Sequence, residues 1–202
     1  MKRRFLFIIS VIGLLAAAPA VWASPDTDIA DHYRNHPRME TVDNIAAVVG
    51  SPYLQSAAAF ATYGIAYVSK NLEWQKTGEA WTEALVLAES SALLLKVSVR
   101  RERPNGSNYS FPSGHTAASF ATASVLETLE GPAFGVPAFL AAGLIGFTRI
   151  DHNDHYLSDV IGGAALGLAW GWGVAHFHKT HAAWHLFPWS GGGTGVEVAR
   201  DF

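Results

Sequence analysis

The sequence predicts an all-α protein, a compact helical bundle of about five to six helices. From Ile45 onward the 202-residue chain is rich in Ala and Leu and shows little of the period-two alternation that is typical of strands. Half of its residues are hydrophobic, and its length corresponds to one domain with a substantial core. These observations favour a single helical domain, predicted over residues 43–180.

The amino terminus has the layout of a secretory signal peptide. Basic residues at positions 2–4 precede an apolar run over 5–18, and cleavage is expected after Ala23. The alternative is an uncleaved membrane anchor, because residues 5–23 are nearly long enough to span a bilayer. With residues 1–23 as the signal peptide, the polar segment 24–42 is predicted to be a loosely packed amino-terminal arm.

The helices of the domain are predicted over residues 43–49, 53–69, 78–99, 113–129, 133–149 and 157–178. Pro104 stops the third of them, because proline lacks the amide donor and clashes with the preceding turn. Ser113 follows a polar loop and is a good N-cap for the fourth helix. Gly131-Pro132 then separates the fourth helix from the fifth.

The last predicted helix carries Gly163, Gly167 and Gly171 on one face, at a spacing of four residues. Small residues at this spacing allow a neighbouring helix to approach closely, so we interpret them as a packing face. The glycine-rich tail over residues 181–202 has no function that can be derived from its sequence.

Charge and cysteine content exclude two classes of protein. Without residues 1–23 the chain keeps 11 basic and 17 acidic residues, a net charge of −6, which argues against nucleic acid as a partner. There is no cysteine, so a disulfide-stabilised exported scaffold is excluded and the core alone must hold the fold. The sequence does not determine the oligomeric state.

Three separated fragments contain side chains suited to binding a phosphate group. They are Lys96 with Arg103-Pro104, then Pro112-Ser113-Gly114-His115, then Arg149 with His155 and Asp159. Arginine offers a planar fork that matches phosphate oxygens, whereas lysine supplies a point charge. Ser113 and Gly114 open a predicted helix, where free amides and the helix dipole favour an anion.

The same fragments supply a candidate nucleophile and a candidate acid. His155 and Asp159 are four residues apart, so in a helical turn the carboxylate can fix the imidazole tautomer and direct its other nitrogen toward phosphorus. His115 is then placed to protonate the leaving alkoxide. The residues alone leave open which of the two histidines attacks.

Neither a metal nor a cofactor is expected, because no cluster of metal ligands accompanies the three fragments. Further histidines gather near the carboxyl terminus, and we interpret them as surface or interface imidazoles rather than as a metal site. They are His176, His178, His181 and His185.

The three fragments resemble the motifs of the type 2 phosphatidic acid phosphatase superfamily, which includes bacterial acid phosphatases, lipid phosphate phosphatases and vanadium haloperoxidases. The family's first motif is Lys, six residues and Arg-Pro; the second is Pro-Ser-Gly-His; the third is Ser-Arg, five residues, His, three residues and Asp. All three occur in this order over residues 96–159. The only departure is Thr148, which replaces the leading Ser and keeps its hydroxyl.

The resemblance implies a metal-independent phosphatase with an α-helical fold. It implies a phosphohistidine intermediate on His155, orientation of that ring by Asp159, and His115 as the general acid. The residues that it implies for phosphate binding are Lys96, Arg103, Ser113, Gly114 and Arg149.

We expect a phosphomonoester as substrate, lipid phosphates among them, and an exported periplasmic protein that also contacts a membrane surface. Glu83, Glu89 and Gln55 count against membrane-spanning helices, because charged and polar groups facing lipid are costly. The alternative is an inner-membrane phosphatase of lipid phosphates or isoprenyl diphosphates, with its site facing the periplasm. A vanadate-dependent haloperoxidase and a non-catalytic phosphate-binding protein are disfavoured, the first by the short chain and the second by the two histidines with Asp159.

Overall fold

The computed structural model describes residues 23–34, 36 and 39–180, and every regular element in these ranges is a helix. The helices are α1 (Ala23–Arg34), α2 (Glu40–Val49), α3 (Pro52–Val68), α4 (Leu72–Val99), α5 (Gly114–Glu130), α6 (Pro132–Asp151) and α7 (Leu157–Thr180). The all-α prediction is therefore confirmed, with seven helices in the described residues. The predicted signal peptide up to position 22 and the carboxyl-terminal tail lie outside them.

Local chemistry explains where several helices begin and end. The Asn71 side chain accepts a hydrogen bond from the Trp74 amide at 3.2 Å and caps α4, which begins earlier than its apolar pattern suggests. Ser113 caps α5 as predicted. Helix α4 ends at Val99, because the next residue, Arg100, has a left-handed backbone with a φ of 53°, so the helix stops before Pro104 is reached.

The amino-terminal segment is not the loosely packed arm that its polar composition predicts. It forms α1, and Asp26 and Ala30 of this helix are buried. The carboxylate of Asp26 accepts hydrogen bonds from Ser158, in the first turn of α7, and from Arg101, which follows α4. The prediction was wrong because the polar residue that anchors this segment is bonded to partners far away in the sequence.

The core is formed by close packing of α5 against α7, with α4 and α6 beside them. A Cβ added at Gly163 or Gly171 would lie 2.5 Å from a backbone oxygen of α5, and at Gly167 it would lie closer still. Ala117 and Ala121 face these glycines from α5 and are fully buried. The predicted glycine packing face is confirmed, and it allows the two backbones to lie almost in contact.

Candidate active site

His155 lies in the short segment between α6 and α7, and its side chain is almost completely buried, with 3% of its surface exposed. Its Nδ1 atom is 3.6 Å from Oδ2 of Asp159, a carboxylate with no exposed surface in the first turn of α7. The backbone amide of His155 donates to the Arg149 carbonyl at 3.1 Å, which anchors the segment to the end of α6. The predicted pairing of His155 with Asp159 is therefore present.

The Asp159 carboxylate is held by hydrogen bonds from three further groups. Oδ2 accepts from the Ser110 hydroxyl and, at 2.9 Å, from the Tyr156 amide. Oδ1 accepts from Nη1 of Arg101 at 2.9 Å. Because charged acceptors form strong hydrogen bonds, this set fixes the plane of the carboxylate that faces His155.

Arg101 and Ser110 are site residues that sequence reasoning missed. Ser110 lies in the polar loop after α4, and its hydroxyl is also 3.5 Å from Nδ1 of His155. Arg101 is one of three arginines between residues 100 and 103, and nothing in its spacing separates it from its neighbours. Only the fold brings both residues to Asp159, so no sequence signal could have singled them out.

Burial controls the protonation of His155. It lowers the pKa of this imidazole to about 4, the hydrogen bond with Asp159 opposes that effect, and the nearby charges of Lys96 and Arg103 lower the pKa further. The ring is therefore neutral at neutral pH. With Nδ1–H assigned to the side facing Asp159, Nε2 carries the free lone pair.

Lys96 supports the loop that leads into α5. Its ammonium group donates to the carbonyls of Tyr109 at 2.9 Å and Pro112 at 2.6 Å. Glu89, two turns earlier in α4, interacts electrostatically with Lys96 and lies beside Gly114, where an added Cβ would be 3.4 Å from its carboxylate. This glycine therefore brings the start of α5 next to the Glu89 carboxylate.

The two predicted phosphate-binding arginines each keep an unbonded donor. Arg149 is buried, and its outer nitrogens donate to the Asp43 carbonyl and the Thr148 hydroxyl, both at 3.2 Å, and to Asp154 at 3.3 Å. The Nε atoms of Arg149 and Arg103 are buried and have no partner among the described residues. A buried guanidinium with a free N–H is suited to binding an anion.

Arg103 links the parts of the site electrostatically. Its charge acts on Lys96, His115, Arg149 and His155, which come from four different segments of the chain. The structure thus brings the basic residues of all three sequence fragments to one end of the bundle.

The start of α5 is joined directly to α7. The Ser113 amide donates to the backbone carbonyl of Asp159 at 3.0 Å, and the Ser113 hydroxyl accepts from that of Thr116 at 2.9 Å. The imidazole of His115 lies near the backbone of Ala47 in α2 and interacts with it electrostatically. The two predicted histidines therefore belong to segments that meet at Ser113 and Asp159.

Within residues 39–180 and the described part of α1, no group of three His, Asp or Glu side chains is arranged to hold a metal ion. His178 lies 3.0 Å from a carboxylate oxygen of Glu83, and His176 stacks on Trp172 with ring centroids 5.1 Å apart. His181 and His185 lie outside the described residues.

Comparison with known proteins places these features in context. Residues 74–183, more than half of the chain, match the model of the PAP2 superfamily. A lipid A 1-phosphatase of Porphyromonas gingivalis is 32% identical over 131 residues, which cover 63% of this chain and 28% of that protein. The chain thus spans less than a third of the length of this relative.

Two solved structures share the fold. One is a transmembrane PAP2-type phosphatidylglycerolphosphate phosphatase from Bacillus subtilis, with a TM-score of 0.68 and 21% identity, covering 88% of this chain and 95% of that one. The other is LpxE from Aquifex aeolicus, with a TM-score of 0.62 and 24% identity, covering 74% of this chain and 93% of that one. At these identities the likeness concerns the fold.

Proposed function

This chain belongs to the PAP2 superfamily, and on that premise we propose that it is an integral-membrane phosphatase that hydrolyses lipid phosphates through a phosphohistidine. Family membership confirms the resemblance drawn from the three sequence fragments. The observation that carries the proposed mechanism is the buried His155, whose Nδ1 lies 3.6 Å from the buried Asp159 carboxylate, with the charges of Lys96 and Arg103 nearby.

In the first step Nε2 of His155 attacks phosphorus while the bond from phosphorus to the ester oxygen breaks. His115 donates its proton to the departing alkoxide, and Asp159 stabilises the positive charge that develops on the His155 ring. Water then attacks phosphorus while the bond from Nε2 of His155 to phosphorus breaks and its electron pair returns to the ring. His115 accepts the water proton, and inorganic phosphate leaves. Each proton and each bond is accounted for without a metal ion.

The phosphate oxygens are proposed to bind Arg103, Arg149 and the first turn of α5. The free Nε–H groups of the two arginines supply donors for separate oxygens. Gly114 contributes a helix-terminal amide, whereas the Ser113 amide already donates to Asp159 and serves to place that terminus. Lys96 adds positive charge and holds the loop before α5.

Replacement of His155 by Ala tests the nucleophile. We expect H155A to lose phosphate release and the acid-labile phosphoenzyme that is trapped with radiolabelled substrate. His176→Ala is the matched control, because this ring stacks on Trp172 in α7 rather than on a site residue. Turnover by H155A at the wild-type rate would refute the phosphohistidine.

Metal independence is tested on the wild-type protein. A chelator should leave activity nearly unchanged, since the positive charge needed around the phosphate comes from arginine and lysine. Loss of activity with the chelator and recovery with a divalent ion would contradict this part of the proposal.

The distribution of polar and apolar side chains supports a membrane-embedded protein. Large apolar residues face outward on four helices, and they include Phe60 and Ile65 of α3, Leu93 and Leu94 of α4, Leu140 and Leu144 of α6, and Ile161 and Trp172 of α7. Helices α6 and α7 are long and apolar enough to cross a bilayer, with mean hydropathies of 1.6 and 1.3. Apolar surface of this extent is expected where lipid is the solvent.

The polar residues that counted against this topology in the sequence point inward. Gln55 is buried and donates to Ser119 at 2.9 Å, and Glu83 pairs with His178 at 3.0 Å. Glu89 lies next to Gly114 at the site. Polar groups inside a bundle bind one another and avoid lipid, so the membrane alternative is preferred over an exported protein in the periplasm.

A lipid phosphate fits a site at the end of a membrane-embedded bundle, and two relatives are named for lipid A and for phosphatidylglycerolphosphate. The test compares phosphate release from micellar phosphatidic acid, phosphatidylglycerolphosphate, an isoprenyl diphosphate and a soluble aryl phosphate. Preference for a lipid monoester supports the proposal. Faster turnover of the aryl phosphate without detergent would contradict it.

A further inference from the structure

We propose that Arg101 and Asp26 form a positioning pair that holds the Asp159 carboxylate, and through it His155, in the reactive orientation. The inference rests on the proposed function, because it assigns a role within the same catalytic site. It adds α1, at the amino-terminal end of the described chain, to the machinery around the nucleophile.

Arg101 bridges two buried carboxylates. Its Nη1 atom donates to Oδ1 of Asp159 at 2.9 Å, and its Nη2 atom donates to Oδ2 of Asp26 at 2.8 Å. The guanidinium also lies over the ring of Tyr156, 4.0 Å from the ring centroid. Partners on both edges and on one face leave it little freedom to rotate.

Asp26 has a second partner besides Arg101, namely Ser158, whose hydroxyl also accepts from Nη1 of Arg101 at 2.6 Å. Its Oδ1 accepts from the Ser158 amide at 3.0 Å, and its Oδ2 accepts from the Ser158 hydroxyl. The side chain has no exposed surface. Asp26 thus fastens α1 to the start of α7, one residue before Asp159, and supplies the second anchor that Arg101 needs.

The two carboxylate oxygens of Asp159 have different partners. Oδ2 faces Nδ1 of His155 and also accepts from Ser110 and Tyr156, whereas Oδ1 has Arg101 as its charged partner. Loss of Arg101 would free the carboxylate to rotate about its terminal bond. The imidazole would then be held in the attacking orientation for a smaller fraction of the time.

The test uses the full chain in detergent and compares R101Q and D26N with matched controls. We expect kcat to fall about 10- to 100-fold in both variants, with KM within about two-fold of wild type, because substrate binding is left intact. R100Q and D28N should retain wild-type kinetics, since Arg100 and Asp28 are exposed neighbours on the same segments. Wild-type kcat in both R101Q and D26N would overturn the inference.

Coupling to Asp159 distinguishes positioning from a general structural role. In a D159N background R101Q should cause no further loss of kcat, because its effect passes through the Asp159 carboxylate. An equal fold-loss in both backgrounds would overturn the inference. If R101Q does not fold, D26N, which keeps the shape of the side chain, supplies the same two measurements.

H155A separates this inference from the proposed function. An inactive H155A together with a fully active R101Q would refute the positioning pair alone. A fully active H155A would refute the phosphohistidine mechanism itself.

Discussion

At the scale of single residues, burial keeps the proposed nucleophile His155 uncharged. An exposed imidazole is half protonated near pH 6.5 and then lacks a free lone pair. The pKa of His155 is lowered to about 4, so the neutral ring predominates over the whole range in which the protein is expected to work. Oδ2 of Asp159 lies 3.6 Å from Nδ1, so the proposed mechanism places the ring proton on that nitrogen.

The pH dependence of kcat/KM follows from this shift. We expect a bell-shaped profile: activity declines as the pH falls toward about 4, because protonation of His155 removes the nucleophile. It also declines at higher pH as His115, whose pKa burial lowers, loses the proton that it donates to the leaving group. In D159N, whose residual activity is lower, the decline should move to still lower pH, because the lost hydrogen bond raised the pKa of His155. The measurement is a pH–rate profile of both proteins. An acid-side decline centred near pH 6.5 would contradict the lowered pKa of His155.

The sequence predicts the eight candidate site residues because their order and spacing are themselves the signal. It does not predict Asp26, Arg101 or Ser110, which bond to Asp159 or to its neighbours from distant segments. Hydrogen bonds across 75 residues, such as that of Arg101 with Asp26, leave no pattern in one sequence.

At the scale of the helices, the site depends on how closely α5 and α7 approach each other. Ser113 at the start of α5 and Asp159 in the first turn of α7 are joined by a backbone hydrogen bond of 3.0 Å. The glycines of α7 allow the backbones of the two helices to approach closely along their contact. Packing and catalysis are therefore linked through the same pair of helices.

Two glycines of α7 provide a matched test of this packing. Gly167→Ala would drive a Cβ into the backbone of α5 at Ala117, and we expect about 1–3 kcal/mol of destabilisation together with loss of activity. Gly173→Ala should be tolerated, because no atom lies within 4 Å of the added Cβ. Thermal unfolding in detergent measures both. Equal stability of the two variants would mean that α5 and α7 are less closely packed than described.

Helix positions in the domain follow from the apolar runs and from the proline and serine residues at helix boundaries. The six predicted helices therefore correspond to α2–α7. The first turns of α4 were missed because Gln75 and Thr77 are polar, although both are buried. Helix α1 was missed for the same reason. A polar residue that is bonded inside the protein cannot be distinguished from an exposed one by its type alone.

At the scale of the whole molecule, polar side chains lie inside the bundle and apolar ones cover much of its surface. The sequence argument against membrane-spanning helices treated Glu83 and Glu89 as charges that would face lipid. In the structure their side chains lie on the inner side of the bundle instead. Hydropathy averages the two faces of a helix, so α3 and α4 look too polar to span a bilayer. The structure separates the faces and favours the membrane alternative.

A charge on the outer surface tests this topology. Leu140 is 71% exposed near the middle of α6, and Leu140→Arg should lower the amount of protein integrated into membranes. The cost of a charge at the centre of a span is about 2.5–3.5 kcal/mol. Leu72→Arg, at the first residue of α4, should have a smaller effect because its side chain can reach the interface. The measurement is protein retained in membranes after an alkaline carbonate wash, and equal retention of L140R and wild type would contradict the topology.

The hydrogen bond from the Ser113 amide to the Asp159 carbonyl has a consequence for the proposed membrane-embedded bundle. Asp159 orients one histidine with its side chain and holds the helix of the other with its backbone. A tilt of the helices in response to a thicker or thinner bilayer would therefore carry both histidines together. We expect turnover in vesicles to vary little with acyl-chain length, as long as the lipid phosphate still reaches the site.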